Sequence, residues 1–298
     1  MNFKYNIPLL NILSSLFSKK NKMKLGISYN LYDGEELLEA SIRSIRNSAF
    51  HVNVIYQLTS NAGEVRNRNI EEMLNSLKER KLIDNFQIYQ PDLSKNAPFN
   101  EKCKRLLGLK VAKKNGCTHF LSMDVDEFYH EQEMENAKRF ILKNKIKVSA
   151  VSIIEYVQKP EYQLLSNYMF SPSNKDYYMF YAPFITKINM FHNSISRDYF
   201  PCLVDPTRKI NGFGKFYLFE RHEISMHHMS TIRKDLHKKF RNSTISLTAP
   251  QNIVDYFNDV KASILEFDFD KSISIPESYA FIGTYPIKKV ENVFNINV

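Results

Sequence analysis

The chain has 298 residues, of which 43% are hydrophobic and 24% charged. That length and balance fit one large globular domain, or a domain with an appended lobe, and exclude a disordered or fibrous chain. The net charge of +9 admits phosphate-bearing, nucleic-acid or anionic-membrane partners without choosing among them. Cys103, Cys117 and Cys202 are odd in number and lack CxxC spacing. They read as reduced thiols of a cytoplasmic protein, with neither a disulfide framework nor a structural zinc.

No apolar run reaches the ~18 to 20 residues that span a bilayer. At the N-terminus, Leu9, Leu10, Ile12, Leu13, Leu16 and Phe17 recur at helical spacing, and Lys19, Lys20, Lys22 and Lys24 follow at once. A signal peptide has the opposite order, charge before the apolar core. Residues 1–22 are therefore expected to form an amphipathic helix. It either lies on an anionic membrane or packs on the body of the protein or a second subunit.

From Met23 onward strands and helices alternate. Lys24–Tyr29 reads as a strand, followed by the loop Asn30–Gly34 and a helix with Leu37, Leu38, Ser41, Ile42 and Ile45 on one face. Val52–Leu58 is a β-branched second strand, and the loop Thr59–Gly63 leads to a helix with Ile70, Met73, Leu74 and Leu77 inward. Phe86–Tyr89 is a third strand, Asn100–Asn115 a helix, Thr118–Met123 a fourth strand, Glu131–Lys145 a helix and Val148–Tyr156 another strand. This alternation predicts βαβ units and an α/β fold with a mainly parallel sheet flanked by helices. Ligands of such sheets sit beyond the carboxyl ends of the strands. That rule selects Tyr29–Asp33, Leu58–Gly63 and Asp124–Phe128. Pro160–Gly214 is aromatic, proline-studded and irregular, and reads as a second lobe. Ile232–Arg241 is expected to be a basic helix and Ile253–Phe267 an amphipathic one.

The fourth strand runs into Asp124-Val125-Asp126-Glu127. In extended backbone Asp124 and Asp126 point to the same side. Their mutual repulsion costs stability unless a cation lies between them. Mn²⁺ and Mg²⁺ prefer such oxygen ligands and complete their shells with phosphate oxygens and water. An Asp-x-Asp triplet by itself occurs widely; its place at the ligand end of a parallel sheet makes it a candidate metal site.

The order of these elements, with Asn100-Glu101-Lys102 opening a helix and Phe120-Leu121-Ser122-Met123 leading into the acidic turn, resembles the GT-A glycosyltransferases. The likeness is to the bacterial family 2-like enzymes of surface polysaccharide synthesis, over roughly residues 23–245. The resemblance implies a Rossmann-like GT-A domain over 23–247, with a donor half at 23–158 and an irregular acceptor half at 159–247. Residues 248–298 lie beyond the resemblance and are expected to form a C-terminal helical extension. For the part it covers, the resemblance also implies a nucleotide-diphosphate-sugar donor, UDP first and a guanosine nucleotide second. The acceptor would be a saccharide or lipid-linked glycan of capsule or lipopolysaccharide synthesis, used at the cytoplasmic face of the membrane. Asp126 would be the direct metal ligand, and Asp124 would hold the ribose or a metal-bound water. Tyr29, Asn30, Tyr32 and Asp33 would line the nucleoside, with Glu35 an alternative to Asp33. Lys102 and Arg105 at the helix start would face the donor.

Further along, Met226-His227-His228-Met229 precedes a basic run. Adjacent histidines in a strand face opposite ways, so one could serve the metal while the other packs. Similar enzymes place a histidine in the metal shell here; His228 is the choice and His227 the alternative. Arg233 suits a bidentate diphosphate clamp. An inverting transfer needs a base near the acceptor hydroxyl, and the resemblance to the family 2-like enzymes implies an Asp or Glu. Gly212-Phe213-Gly214-Lys215 stands where a glycine-aromatic acceptor loop is expected, which points to Glu220, with Glu223, Asp205 and Glu155 as alternatives. Two other functions use the same features. A nucleotidyl- or phosphotransferase would share the carboxylate–metal site, though no Gly-x4-Gly-Lys loop is present. A basic nucleic-acid-binding protein would share the charge, but the basic residues are dispersed and no recognition signature occurs, so nucleic acid is not expected as a partner.

Overall fold

The computed structural model describes residues 22–65, 70–164, 168–171, 176–179, 181–189, 200–210 and 212–243, part of 246–258, and 287–298. All of β1 (Leu25–Leu31) is buried. A strand with no exposed face must be covered on both sides, as a central parallel strand is. β2 (His51–Tyr56) and β4 (His119–Asp124) flank it in parallel, with Leu31 beside Tyr56 and Asn30 beside Asp124. β3 (Asn85–Ile88) lies beyond β2, and antiparallel β11 (Thr186–Lys187) closes the opposite edge. The fold is mixed α/β with a mainly parallel central sheet flanked by helices, as the alternation predicts.

α1 (Glu35–Ile45) buries Leu37, Leu38, Ser41, Ile42 and Ile45, the face its periodicity marks. α2 (Glu71–Glu79) buries Leu74 and Leu77. α3 (Ala97–Lys114) starts ahead of the expected Asn100, because the Asn96 side chain accepts from the Phe99 amide and Pro98 fits the first turn. A Cβ on Gly108 would stand 2.0 Å from Ser28 Oγ. Glycine inside a helix costs about 1 kcal/mol relative to alanine. Here it lets α3 press on β1 and carry Lys104 and Arg105 to the sheet's carboxyl edge.

α4 (Glu131–Asn144) leads into a second sheet. Its strands run β10 (Tyr181–Pro183), β6 (Val148–Glu155), β13 (Ser225–His228) and β5 (Glu127–Phe128), and β12 (Phe216–Phe219) also pairs with β6. The stretch expected to be irregular therefore contains strands: β7 (Tyr162–Leu164), the hairpin β8 (Tyr168–Ser171) and β9 (Asp176–Met179), then β10 and β11. β10 and β11 sit at the edges of the two larger sheets, so this stretch is woven into both of them.

The basic helix is shorter than its charge pattern suggests. α5 spans Leu236–Arg241, capped by Asp235 accepting from the Lys238 amide. The C-terminal residues 287–298 are strand and turn rather than helix. β14 (Ile287–Lys289) pairs with β7, and Phe294 and Ile296 pack with Leu37, Phe128, Ile154 and Met229. The expected amphipathic helix of residues 1–22 and most of the one at 253–267 lie outside the described residues. Among the described residues no helix is long and apolar enough to cross a membrane. All three cysteines are free.

His119, at the start of β4, is 5% exposed, and its Nδ1 lies 2.9 Å from Thr118 Oγ1. Burial, with Lys187 nearby, pushes its pKa down from 6.5 to about 4. The unfolded chain then binds a proton that the native state refuses, so His119 lowers stability as pH falls through this window. The slope is up to about 1.4 kcal/mol per pH unit. His119→Asn should lose less in melting temperature than the parent between pH 7 and pH 4.5. Parallel curves for the two proteins would show that His119 is not the titrating group.

Candidate active site at the carboxyl edge of the parallel sheet

β4 ends at Asp124 and β5 begins at Glu127, so the acidic turn is the crossover from the first sheet to the second. Carboxylate oxygens of Asp124, Asp126 and Glu127 all lie within 4.8 Å of one another. Strand register adds the histidine. In β13, His228 stands opposite Glu127 of β5 on one side and Glu155 of β6 on the other. Its Nδ1 is 2.9 Å from Glu155 Oε1, and its Nε2 is 3.9 Å from Asp126 Oδ2. Burial alone would lower the His228 pKa, but Glu155 and then Asp126 outweigh it and raise it to about 9. The pleat turns His227 the other way. Its Nδ1 is 2.8 Å from the Tyr156 hydroxyl, its ring packs on His130 and Phe294, and burial pushes its pKa down to about 3.

Four cations converge on the two aspartates. Asp124 accepts from Arg105 at 3.0 Å and from Arg208, whose guanidinium also reaches Glu127. Asp126 Oδ2 accepts from Arg233 at 2.5 Å and from Lys239 at 3.1 Å. Burial pushes the Asp126 carboxyl up, but Lys239, Arg233 and His228 together hold it well below the usual range. For Glu127 burial wins, and its pKa is raised. Arg233 reaches Asp126 across Gly34. A Cβ there would fall 1.1 Å from Arg233 Nη1, and the φ of 77° also favours glycine.

Asp124, Asp126, His228 and the four cations line a cleft of about 350 Å³, with Asn30, Tyr32 and Asp33 from the end of β1 and the loop after it, and Gln57, Ser60 and Asn61 from the loop after β2. Asn30 donates to Asp124 Oδ1 at 3.3 Å, and the Tyr32 hydroxyl donates to the Glu64 carbonyl at 3.0 Å.

Several sequence expectations need correction. Tyr29 is fully buried, its hydroxyl 3.0 Å from Ser41 Oγ beneath α1. Alternation along β1 turns Asn30, not Tyr29, to the cleft. On α3 the residues facing the cleft are Glu101, Lys104 and Arg105, at i, i+3 and i+4. Lys102 is off that face, and Lys104 takes the place expected of it. Neither Glu220 nor Glu223 lines the cleft. Glu223 accepts from the Tyr217 hydroxyl at 3.1 Å and from the Glu220 amide at 2.8 Å, a local turn after β12. Asp205 and Glu155 do line it. Sequence reasoning missed Arg208, Lys239, Lys104 and Gln57. Asp205-Pro206, an N-cap followed by proline, was the available signal that a short helical turn would present Arg208.

The donor set fits a hard divalent cation. Asp124, Asp126 and Glu127 offer convergent oxygens, and Glu127 Oε2 is buried with no hydrogen-bond partner among the described residues. Glu155 on His228 Nδ1 leaves Nε2 as the nitrogen turned toward Asp126, the carboxylate–histidine arrangement that orients a metal ligand.

No family model matches the chain, and no curated protein matches it. Solved structures do. S. aureus TarS residues 1–349 aligns at TM-score 0.46 and 11% identity over 88% of this chain and 90% of that one. A longer S. aureus TarS structure aligns at 0.44 and 12% over 85% of this chain and 45% of that one. GalNAc-T7 with UDP, GalNAc and Mn²⁺ aligns at 0.42 and 11% over 85% and 53%. The chain thus spans under half of the longer TarS structure and about half of GalNAc-T7. At this identity and TM-score the chemistry of the cleft is read from its own side chains.

Proposed function

We propose that the protein is a metal-dependent glycosyltransferase that moves a sugar from a nucleoside diphosphate to an acceptor hydroxyl. The observation that carries this reading is the pairing of Asp126, His228 and Asp124 with Arg233 and Lys239 in one cleft. The carboxylates and imidazole would hold Mn²⁺ or Mg²⁺, which supplies positive charge at the diphosphate. Arg233 and Lys239 lie beside the same carboxylate and can turn to phosphate oxygens. Fixed cations there stabilise the charge that grows on the leaving diphosphate as the glycosidic bond breaks.

Asp205 is the proposed base. Its Oδ1 accepts from the Thr207 amide at 2.8 Å and its Oδ2 lies 3.7 Å from Arg208 Nε, which fixes the carboxylate at the cleft wall. It would take the acceptor proton as the acceptor oxygen attacks the anomeric carbon, which inverts that centre. Glu155 is committed to His228 instead. The donor is a UDP-sugar in this reading. The acceptor is a saccharide or lipid-linked glycan of a bacterial surface polysaccharide, met at the inner membrane face through residues 1–22.

Incubation with a panel of nucleotide sugars and Mn²⁺ tests the assignment. Slow release of free nucleoside diphosphate is expected, and Asp205→Asn should abolish transfer while leaving nucleotide affinity within about twofold. Release of pyrophosphate or a nucleoside monophosphate would instead assign nucleotidyl or phosphoryl transfer.

A further inference from the structure

Lys104 is buried in α3 and lines the cleft, yet it does not touch the acidic turn. Burial lowers its pKa to about 8. Its ammonium donates to Gln57 Oε1. Gln57 is 1% exposed, and its Nε2 donates to Asn61 Oδ1 at 3.0 Å and to the Thr59 carbonyl at 3.2 Å. Ser60 pins the loop, its Oγ accepting from the Ala62 amide at 3.1 Å and the Glu64 amide at 3.0 Å.

The direction of this relay is forced. An ammonium only donates, so the Gln57 amide must turn its oxygen to Lys104 and its nitrogen to Asn61. Asn61 must then accept with its oxygen, which leaves its NH₂ as the group presented to the cleft. Both ends of the relay, Lys104 Nζ and Asn61 Nδ2, are donors. Position fixes what they meet. Neighbouring strands lie about 4.8 Å apart, and Gln57 follows β2, two strands from Asp124 of β4, hence ~10 Å away. With a diphosphate at the acidic turn, a nucleobase reaches this corner, beside the ring of Tyr32.

We propose that the Lys104–Gln57–Asn61 relay selects the nucleobase, taking a carbonyl-bearing base (uracil or guanine) and rejecting its amino-bearing counterpart (cytosine or adenine). This rests on the reading of the cleft as a nucleoside-diphosphate site. A donor pair meets a carbonyl oxygen with hydrogen bonds, but it meets an exocyclic amine with unpaired donors on both sides, which is costly in a closed site.

Calorimetric binding of UDP, CDP, GDP and ADP with Mn²⁺ tests the proposal. The wild-type protein should bind UDP at least tenfold tighter than CDP, or GDP at least tenfold tighter than ADP, whichever pair binds. Gln57→Glu keeps an acceptor for Lys104 but can no longer donate, so Asn61 must turn its NH₂ inward and its oxygen to the cleft. In that variant the preference should vanish or reverse. Asn61→Ala should reduce it to about twofold. Equal wild-type affinities within each pair, or a ratio unmoved in both variants, would overturn the relay and leave the proposed function standing. Failure of the wild-type protein to bind any of the four would overturn both.

Discussion

Asp126→Asn is expected to lower turnover of the nucleotide sugar by at least ~10² to 10³-fold, the range seen when one fixed charge-stabilising group is removed from an active site. The asparagine keeps the shape and one hydrogen-bond acceptor but removes the charge at the centre of the site. Asp126 is 1% exposed, and Arg233, Lys239 and His228 all face it. The variant should also bind Mn²⁺ more weakly, measured directly by the loss of free-Mn²⁺ electron resonance signal. A stability cost accompanies this, because the Arg233 side chain is 3% exposed and loses its counter-charge, whereas Lys239 at 29% can turn to water. Circular dichroism and melting temperature separate the two effects. Near-normal turnover at limiting Mn²⁺ in a folded variant would remove Asp126 from the metal site.

How far the sequence could lead is visible in particular residues. Periodicity located β1, β2, β4, β6 and the inward faces of α1 and α2, because each is a locally continuous pattern whose buried side is fixed by its own spacing. The acidic turn was legible for the same reason, and the pleat rule separated the two histidines without saying which faced the cleft. Register decided that, since β13 lies between β5 and β6. The remaining site residues are placed by long-range pairing: a local cap such as Asp205-Pro206 marks a turn but not what its arginine meets. Arg208 and Asp124 are far apart in sequence, and a proline-rich loop gives no period by which to place the arginine. Lys104 rather than Lys102 faces the cleft because α3 begins at Ala97, and the phase of a helix depends on where the chain actually enters it. Likeness to a glycine-aromatic acceptor loop points to Glu220, whereas the turn after β12 directs it away from the cleft.

Arg208→Met should destabilise the fold by about 3 to 5 kcal/mol, the cost of leaving a buried ion pair with one partner. Arg208 is 9% exposed and bridges Asp124 and Glu127, the latter fully buried. Methionine fills much of the volume, so the loss is mainly of charge rather than packing. Buried Glu127 then faces the partly exposed Asp124, with Arg105 on Asp124 and His228 beside Glu127 left to offset them. Adding Glu127→Gln removes one of those charges, and the double variant should regain at least half of the lost stability. Urea denaturation of the four proteins in the cycle gives the coupling directly. The pH response carries an independent sign. The Glu127 carboxyl already titrates above its ordinary 4.5 because of burial, and losing Arg208 raises it further. A carboxyl whose folded pKa is raised binds its proton more tightly in the native state, so its contribution is present at low pH and is lost as pH rises through the folded value. The deficit of Arg208→Met should therefore be smaller at pH 5 than at pH 8, and Glu127→Gln should flatten that difference. A cost under 1 kcal/mol, or a double variant no more stable than the single one, would mean that Arg208 does not hold the acidic turn together.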